Sequence, residues 1–127
     1  MIYPNGYIDI YASISNHELV NKIAINFSNQ YGQYSHTSYL YYNYMTNRFE
    51  GTIYASSFYP GKYVLSSIDI WFENSSKTIY RSQLQSTYGI NPETLDYTSV
   101  KEKNVNKILS RKIIQYTPIY IRLIVLN

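Results

Sequence analysis

The chain has 127 residues, 17 of them tyrosine and none cysteine, with a formal net charge of +3. That length suits one domain with one core, and 45% hydrophobic against 15% charged residues excludes a disordered chain. The lack of cysteine excludes disulfides, thiolate metal sites and thiol nucleophiles together.

Tyrosine, an apolar ring with a polar tip, suits a half-buried pleated surface, and the strand signals follow in chain order. From Tyr7 to Ile14 the residues Ile8, Ile10, Ala12 and Ile14 alternate with Tyr7, Asp9, Tyr11 and Ser13, the mark of a sheet with one wet face. Leu19 to Phe27 repeats the pattern, with Ile23, Ile25 and Phe27 opposed to Lys22, Ala24 and Asn26, and Ser28 to His36 reads as a loop. Thr37 to Tyr44 is a third strand with aromatics on both faces. Arg48 to Ala55 is a fourth, in which Gly51 marks a close backbone approach or a bulge.

After the Pro60-Gly61 turn, Lys62 to Phe72 contains a parity break. Tyr63 and Leu65 are in phase, as are Ile68, Ile70 and Phe72, but the two sets are one residue out of step. One extra residue at Ser66-Ser67, a β-bulge, reconciles them and predicts that Leu65 and Ile68 are both buried. Thr78 to Gln83 begins a sixth strand. From Gln85 to Asn106 the period is lost and the segment reads as loop, with a possible helical turn at Pro92-Glu93-Thr94 and a brief helical face of Val105, Ile108 and Leu109. Arg111 to Tyr116 and Ile119 to Leu126 close the chain as strands. The second is apolar on both faces and must be covered on both. Short strands at regular spacing give an all-β fold, an antiparallel β-sandwich, over a single domain spanning 1–127. Its core is expected to hold Ile8, Ile10, Ile23, Ile25, Phe49, Ile53, Ile68 and Ile70.

From residue 3 to about 84 the chain resembles a bacterial immunoglobulin-like module of secreted and cell-surface proteins from Gram-positive bacteria. Three pieces carry the resemblance: Asn5-Gly6-Tyr7-Ile8-Asp9-Ile10; Leu40-Tyr41-Tyr42-Asn43 followed by Thr46-Asn47-Arg48-Phe49-Glu50-Gly51-Thr52-Ile53; and Tyr59-Pro60-Gly61-Lys62-Tyr63 followed by Ile68-Asp69-Ile70. Where the family has a tight Asp-x-x-Gly-Asn turn, this chain has Glu73-Asn74-Ser75-Ser76-Lys77, which argues against a metal or tight-turn role there. The resemblance implies an immunoglobulin-like sandwich serving as spacer, adhesion unit or accessory binding domain. Met1 to Ile10 lacks the basic start and apolar run of a secretory leader, which fits either a cytoplasmic protein or a piece of a longer exported chain; the resemblance implies the second, in an extracellular or cell-surface setting.

No catalytic constellation accompanies the fold pattern. His17 and His36 fall in expected loops, with Glu18 the one close carboxylate. Asp9, Glu50, Asp69 and Glu73 fall on strands or strand ends, where an outward solvated face explains them. No glycine-rich phosphate loop is present, and no cofactor or metal site is implied. Six basic residues lie after residue 100, in a different third of the chain from the tyrosine cluster, so nucleic acid is not an expected partner. No apolar run is long enough for a membrane helix. The chain therefore reads as non-enzymatic. Its candidate ligand-binding residues are Tyr39, Tyr41, Tyr42 and Tyr44. Alternate rings of such a strand stand about 6.5–7 Å apart on one face, a pitch suited to successive sugars of a cell-wall or host glycan or to a partner protein. The same rings can instead fill the core and cover a sheet through cross-strand pairs.

Overall fold

A computed structural model of the protein describes residues 6–29, 31–54, 61–99 and 119–123. Eight strands run β1 Tyr7–Ile14, β2 Val20–Asn29, β3 Ser35–Asn43, β4 Arg48–Tyr54, β5 Gly61–Phe72, β6 Ser76–Tyr80, β7 Tyr97–Ser99 and β8 Ile119–Leu123. A single helix among the described residues, α1 Arg81–Tyr88, follows β6, and 3₁₀ turns occupy His17–Leu19 and Pro92–Leu95. The fold is all-β.

The strands form one continuous pairing path, β6-β5-β2-β3-β4-β1-β8, with β7 beside β5. Every pair is antiparallel except β1 with β8, which run parallel from Ile10 opposite Ile119 to Ile14 opposite Leu123. That parallel closing strand corrects the expectation of a purely antiparallel arrangement. Strand β3 divides the path. Its first part pairs with β2, Leu40 opposite Ile23, and its last residues pair with β4, Tyr41 opposite Glu50. Gly51 makes the change of partner possible: a Cβ there would lie 2.5 Å from the Tyr39 carbonyl oxygen and would strike the Leu40 side chain. Only glycine fits beneath the crossing.

Inward rows from both halves of the path make one core. Ile8, Ile10, Ile23, Ile25, Phe49, Ile53, Ile68 and Ile70 are all buried in it, as expected, together with Phe27, Leu40, Tyr63 and Ile79. The bulge lies where the parity break put it. Asn26 pairs with Ser67 and Phe27 with Leu65, so Ser66 is the extra residue. Leu65 and Ile68 are both fully buried.

Three boundaries differ from the sequence reading. His36 is not in a loop: β2 extends to Asn29 and β3 starts at Ser35, and the short connection is held by the Asn29 side chain, which accepts from Gln33 N at 2.7 Å and Tyr34 N at 3.1 Å. Tyr44 is not in β3 but in the turn after it, where Asn47 takes a left-handed φ of 59°. The expected strand Thr78 to Gln83 stops at Tyr80 and becomes α1. Gln83 Oε1 accepts from the Tyr80 backbone at the helix start, Leu84 enters the core, and Gly89 ends the helix at φ 66° with Ile90 N donating to Leu84 O. The turn expected at Pro92-Glu93-Thr94 is present. The expected helical face of Val105, Ile108 and Leu109, the strand Arg111 to Tyr116 and the last residues of Ile119 to Leu126 lie outside the described residues.

Candidate functional site

Alternation on β3 sends Ser38 and Leu40 inward and Thr37, Tyr39 and Tyr41 outward. The outward positions of β2 are Lys22, Ala24 and Asn26, and those of β5 beyond the bulge are Ser67, Asp69 and Trp71. Strand register then lays these residues in rows across four strands. Tyr39, Ala24, Asp69 and Thr78 form one row, and Lys22, Trp71 and Ser76 form the next. Tyr39 is 47% exposed and Trp71 41%, so two rings stand on this outward face, whereas Tyr41, 57% exposed, lies past the crossing, opposite Glu50 of β4. Ala24, the smallest residue among them, is buried between its neighbours.

Hydrogen bonds fix the polar part of this face. Thr37 Oγ1 donates to Asn26 Oδ1 at 2.8 Å. Asn26 Nδ2 donates to Asp69 Oδ2 at 2.9 Å and to Ser67 Oγ at 3.0 Å. Thr78 Oγ1 donates to Asp69 Oδ1 at 2.6 Å. One chain of side-chain bonds thus links all four strands and holds the aromatic rows in register. Lys22 completes the arrangement, its Nζ 5.0 Å from the Tyr39 ring centre and 5.4 Å from that of Trp71.

The four tyrosines singled out from sequence are therefore divided. Tyr39 lies on this outward face, whereas Tyr41, exposed as well, stands opposite Glu50 of β4. Tyr42 packs against the core, edge-on to Phe49 at 5.2 Å and stacked on His17 at 4.5 Å with 6° between planes. Tyr44 is 84% exposed and meets Tyr42 edge-on at 4.9 Å. Tyr41, Tyr42 and Tyr44 also line a groove of about 440 Å³ with His17, Glu18, Val20 and Asn21. Trp71 and Lys22 escaped the sequence reading as site residues, although the parity of β5 past the bulge and of β2 puts both on the wet face.

Glu18 and Glu73 line one cavity of about 570 Å³ together with Asn74 and Lys77, whereas Asp9, Glu50 and Asp69 lie on sheet faces. Asp9 accepts from Thr52 Oγ1 at 3.0 Å on the β1–β4 face. Glu50 accepts from Arg48, Thr46 and Asn43, and these donors hold its carboxyl below the usual carboxylate range. Asp69 belongs to the ladder on the other face. Arg48 also lies 3.8 Å over the Tyr11 ring, whose hydroxyl is pushed up by burial and by the nearby Asp9 carboxylate. Burial lowers the His36 imidazole. Among the described residues no group of three or more His, Cys, Asp or Glu gathers as a metal site, and no helix is long and apolar enough to cross a membrane.

No protein-family model matches the chain, and no curated protein does. Two solved structures are similar. Cwp6 from Clostridium difficile is 26% identical with a TM-score of 0.56, over 65% of this chain and 13% of that one. A leucine-rich repeat protein from Bacteroides thetaiotaomicron VPI-5482 is 11% identical with a TM-score of 0.41, over 94% of this chain and 12% of that one. The chain thus corresponds to a small part of each of these longer proteins.

Proposed function

We propose that the chain is a non-catalytic, immunoglobulin-like β-sandwich module of a bacterial surface protein, and that its outward β3–β2–β5–β6 face binds polysaccharide. The observation that carries the binding reading is the pair of exposed rings Tyr39 and Trp71 on one hydrogen-bonded sheet face. Rings held this way present flat apolar area at low entropic cost, with donors and acceptors beside them, as a site for sugar faces requires. The Asp69 carboxylate on the same face is taken up by Asn26 and Thr78.

The pairing order supports the immunoglobulin type. β1, β4 and the end of β3 pair in the order of strands B, E and D, while β2, β5 and β6 pair in the order C, F and G. The first part of β3, beside β2, takes the place of the added strand C′. The surface setting is supported by the likeness to Cwp6, a cell wall protein of a Gram-positive bacterium, and fits adhesion, spacing or ligand presentation within a longer exported chain.

Affinity electrophoresis through gels containing cell-wall, host and plant polysaccharides tests the proposal. At least one should retard the domain, and Tyr39→Ala or Trp71→Ala should weaken that retardation about tenfold, worth roughly 1.4 kcal/mol, with an unchanged melting temperature. A domain that migrates freely through every gel would leave the module as a spacer.

A further inference from the structure

Among the described residues Lys22 is the one cation set between the exposed rings of this face, and no side chain there balances its charge. The ion pairs of the described residues join His17 with Glu18, Arg48 with Glu50 and Arg81 with Asp96. None includes Lys22. The carboxylate on the same face, Asp69, has both oxygens engaged by Asn26 and Thr78. What holds the Lys22 ammonium is the π faces of Tyr39 and Trp71, a contact worth about 0.5–1 kcal/mol at an exposed site. Its three N–H donors therefore point to no acceptor among the described residues.

Resting on the polysaccharide reading above, we propose that this face selects acidic polysaccharide, with a carboxylate borne on a sugar ring pairing with Lys22 while sugar faces lie on Tyr39 and Trp71. Charge complementarity carries the choice. A neutral sugar packed onto these rings would cover an unpaired ammonium and take it from water, which disfavours binding. A carboxylate in the same place converts that cost into a charge-assisted hydrogen bond in a partly desolvated contact. The charge sits between two ring platforms and not beyond them, so the matching anion is one attached directly to a sugar ring. Lys22 donates and does not transfer its proton; nothing in the proposal involves bond making or breaking.

The test uses the full chain with polygalacturonate, the same polymer fully methyl-esterified, and polyaspartate as an acidic polymer without sugars. Wild-type protein should bind polygalacturonate at least tenfold more tightly than the ester or polyaspartate, and the preference over the ester should shrink as salt rises from about 0.1 M to 1 M, as screening requires. Lys22→Met, which keeps the apolar bulk of the stem, should lose about tenfold on polygalacturonate and bind the ester at least as tightly as wild type, since no ammonium is then taken from water; Lys22→Gln serves if the methionine variant fails to fold. Equal binding of acid and ester, or full acid binding by a folded Lys22 variant, overturns the acidic selectivity and leaves the polysaccharide face standing. Equal binding of polyaspartate overturns it too, since charge alone would then suffice. No binding to either galacturonan overturns the acidic assignment. If the neutral polysaccharides of the broader set are also ignored, the polysaccharide reading falls with it.

Discussion

Gly51 shows how one missing side chain sets a fold. Strand β3 must leave β2 and join β4 within two residues, and at that point its Tyr39 carbonyl and Leu40 side chain press onto β4. A methyl group there would meet backbone, which cannot swing aside as a flexible side chain can. Gly51→Ala should therefore destabilise the protein by about 2–3 kcal/mol, near the upper end of overpacking costs, read as a lower denaturant midpoint at unchanged slope. A change under about 0.5 kcal/mol would mean that β3 crosses with more room than this geometry allows. Because the crossing residue is Tyr39, the same variant should also weaken binding at the aromatic face. Gly51 was legible in the sequence as a close approach, from a glycine inside a strand pattern. What approaches it was not, since Leu40 and Tyr39 carry no mark of a strand changing partners.

At the scale of elements, β5 has a gap along one edge that side chains fill. β6 pairs with β5 from Ser67 to Trp71 and β7 pairs with it from Gly61 to Tyr63. Between them Leu65 is satisfied by two side chains. Its N–H donates to Asp96 Oδ1 at 2.9 Å and its carbonyl accepts from Arg81 Nη1 at 2.8 Å. Arg81 and Asp96 also pair through two bonds of 2.9 and 3.0 Å. The pair stands where strand backbone would otherwise stand, directly beside the bulge, with Asp96 only 14% exposed. Asp96→Ala removes the partner of a part-buried guanidinium and of a buried backbone N–H, so it should cost about 2–3 kcal/mol. Amide exchange at Leu65 should accelerate in parallel, whereas a mutant as stable as wild type would show that water replaces the carboxylate without loss. The bulge could be read from the parity of Leu65 and Ile68. The latch could not, because Arg81 and Asp96 flank a segment without period. Nor could α1: Thr78 to Gln83 alternates as a strand does, and the helix depends on Gln83 reaching back to Tyr80 and on Leu84 finding the core, both consequences of tertiary packing.

For the whole molecule, the hydrophobic alternation of β1, β2, β4 and β5 was enough to name the core, because one wet face and one dry face leave each strand a single orientation. The aromatic site was half legible for the same reason. Parity assigns Tyr39 to the wet face, but Trp71 and Lys22 join it only through register across β2 and β5, which no single strand encodes. The long-range pairing least visible in the sequence is the parallel one between β1 and β8, separated by most of the chain. It has a direct consequence for association. Without β8, β1 becomes the free edge of the path, a row of unpaired N–H and C=O groups along Ile10 to Ile14. Such an edge is a template for another chain. Its outward residues, Tyr11 and Ser13, carry no charge and no proline that would blunt it. Removing the chain from residue 119 onward should therefore convert a monomer into dimers and larger aggregates at micromolar concentration, with loss of a single cooperative melt, as judged by light scattering and calorimetry. Lysine placed on the exposed edge, as Ser13→Lys in the truncated protein, should restore part of the monomer by charging that edge. A truncated protein that remains monomeric with its melting temperature intact would show that β8 contributes little to closing the fold and leaves the β1 edge protected by other means.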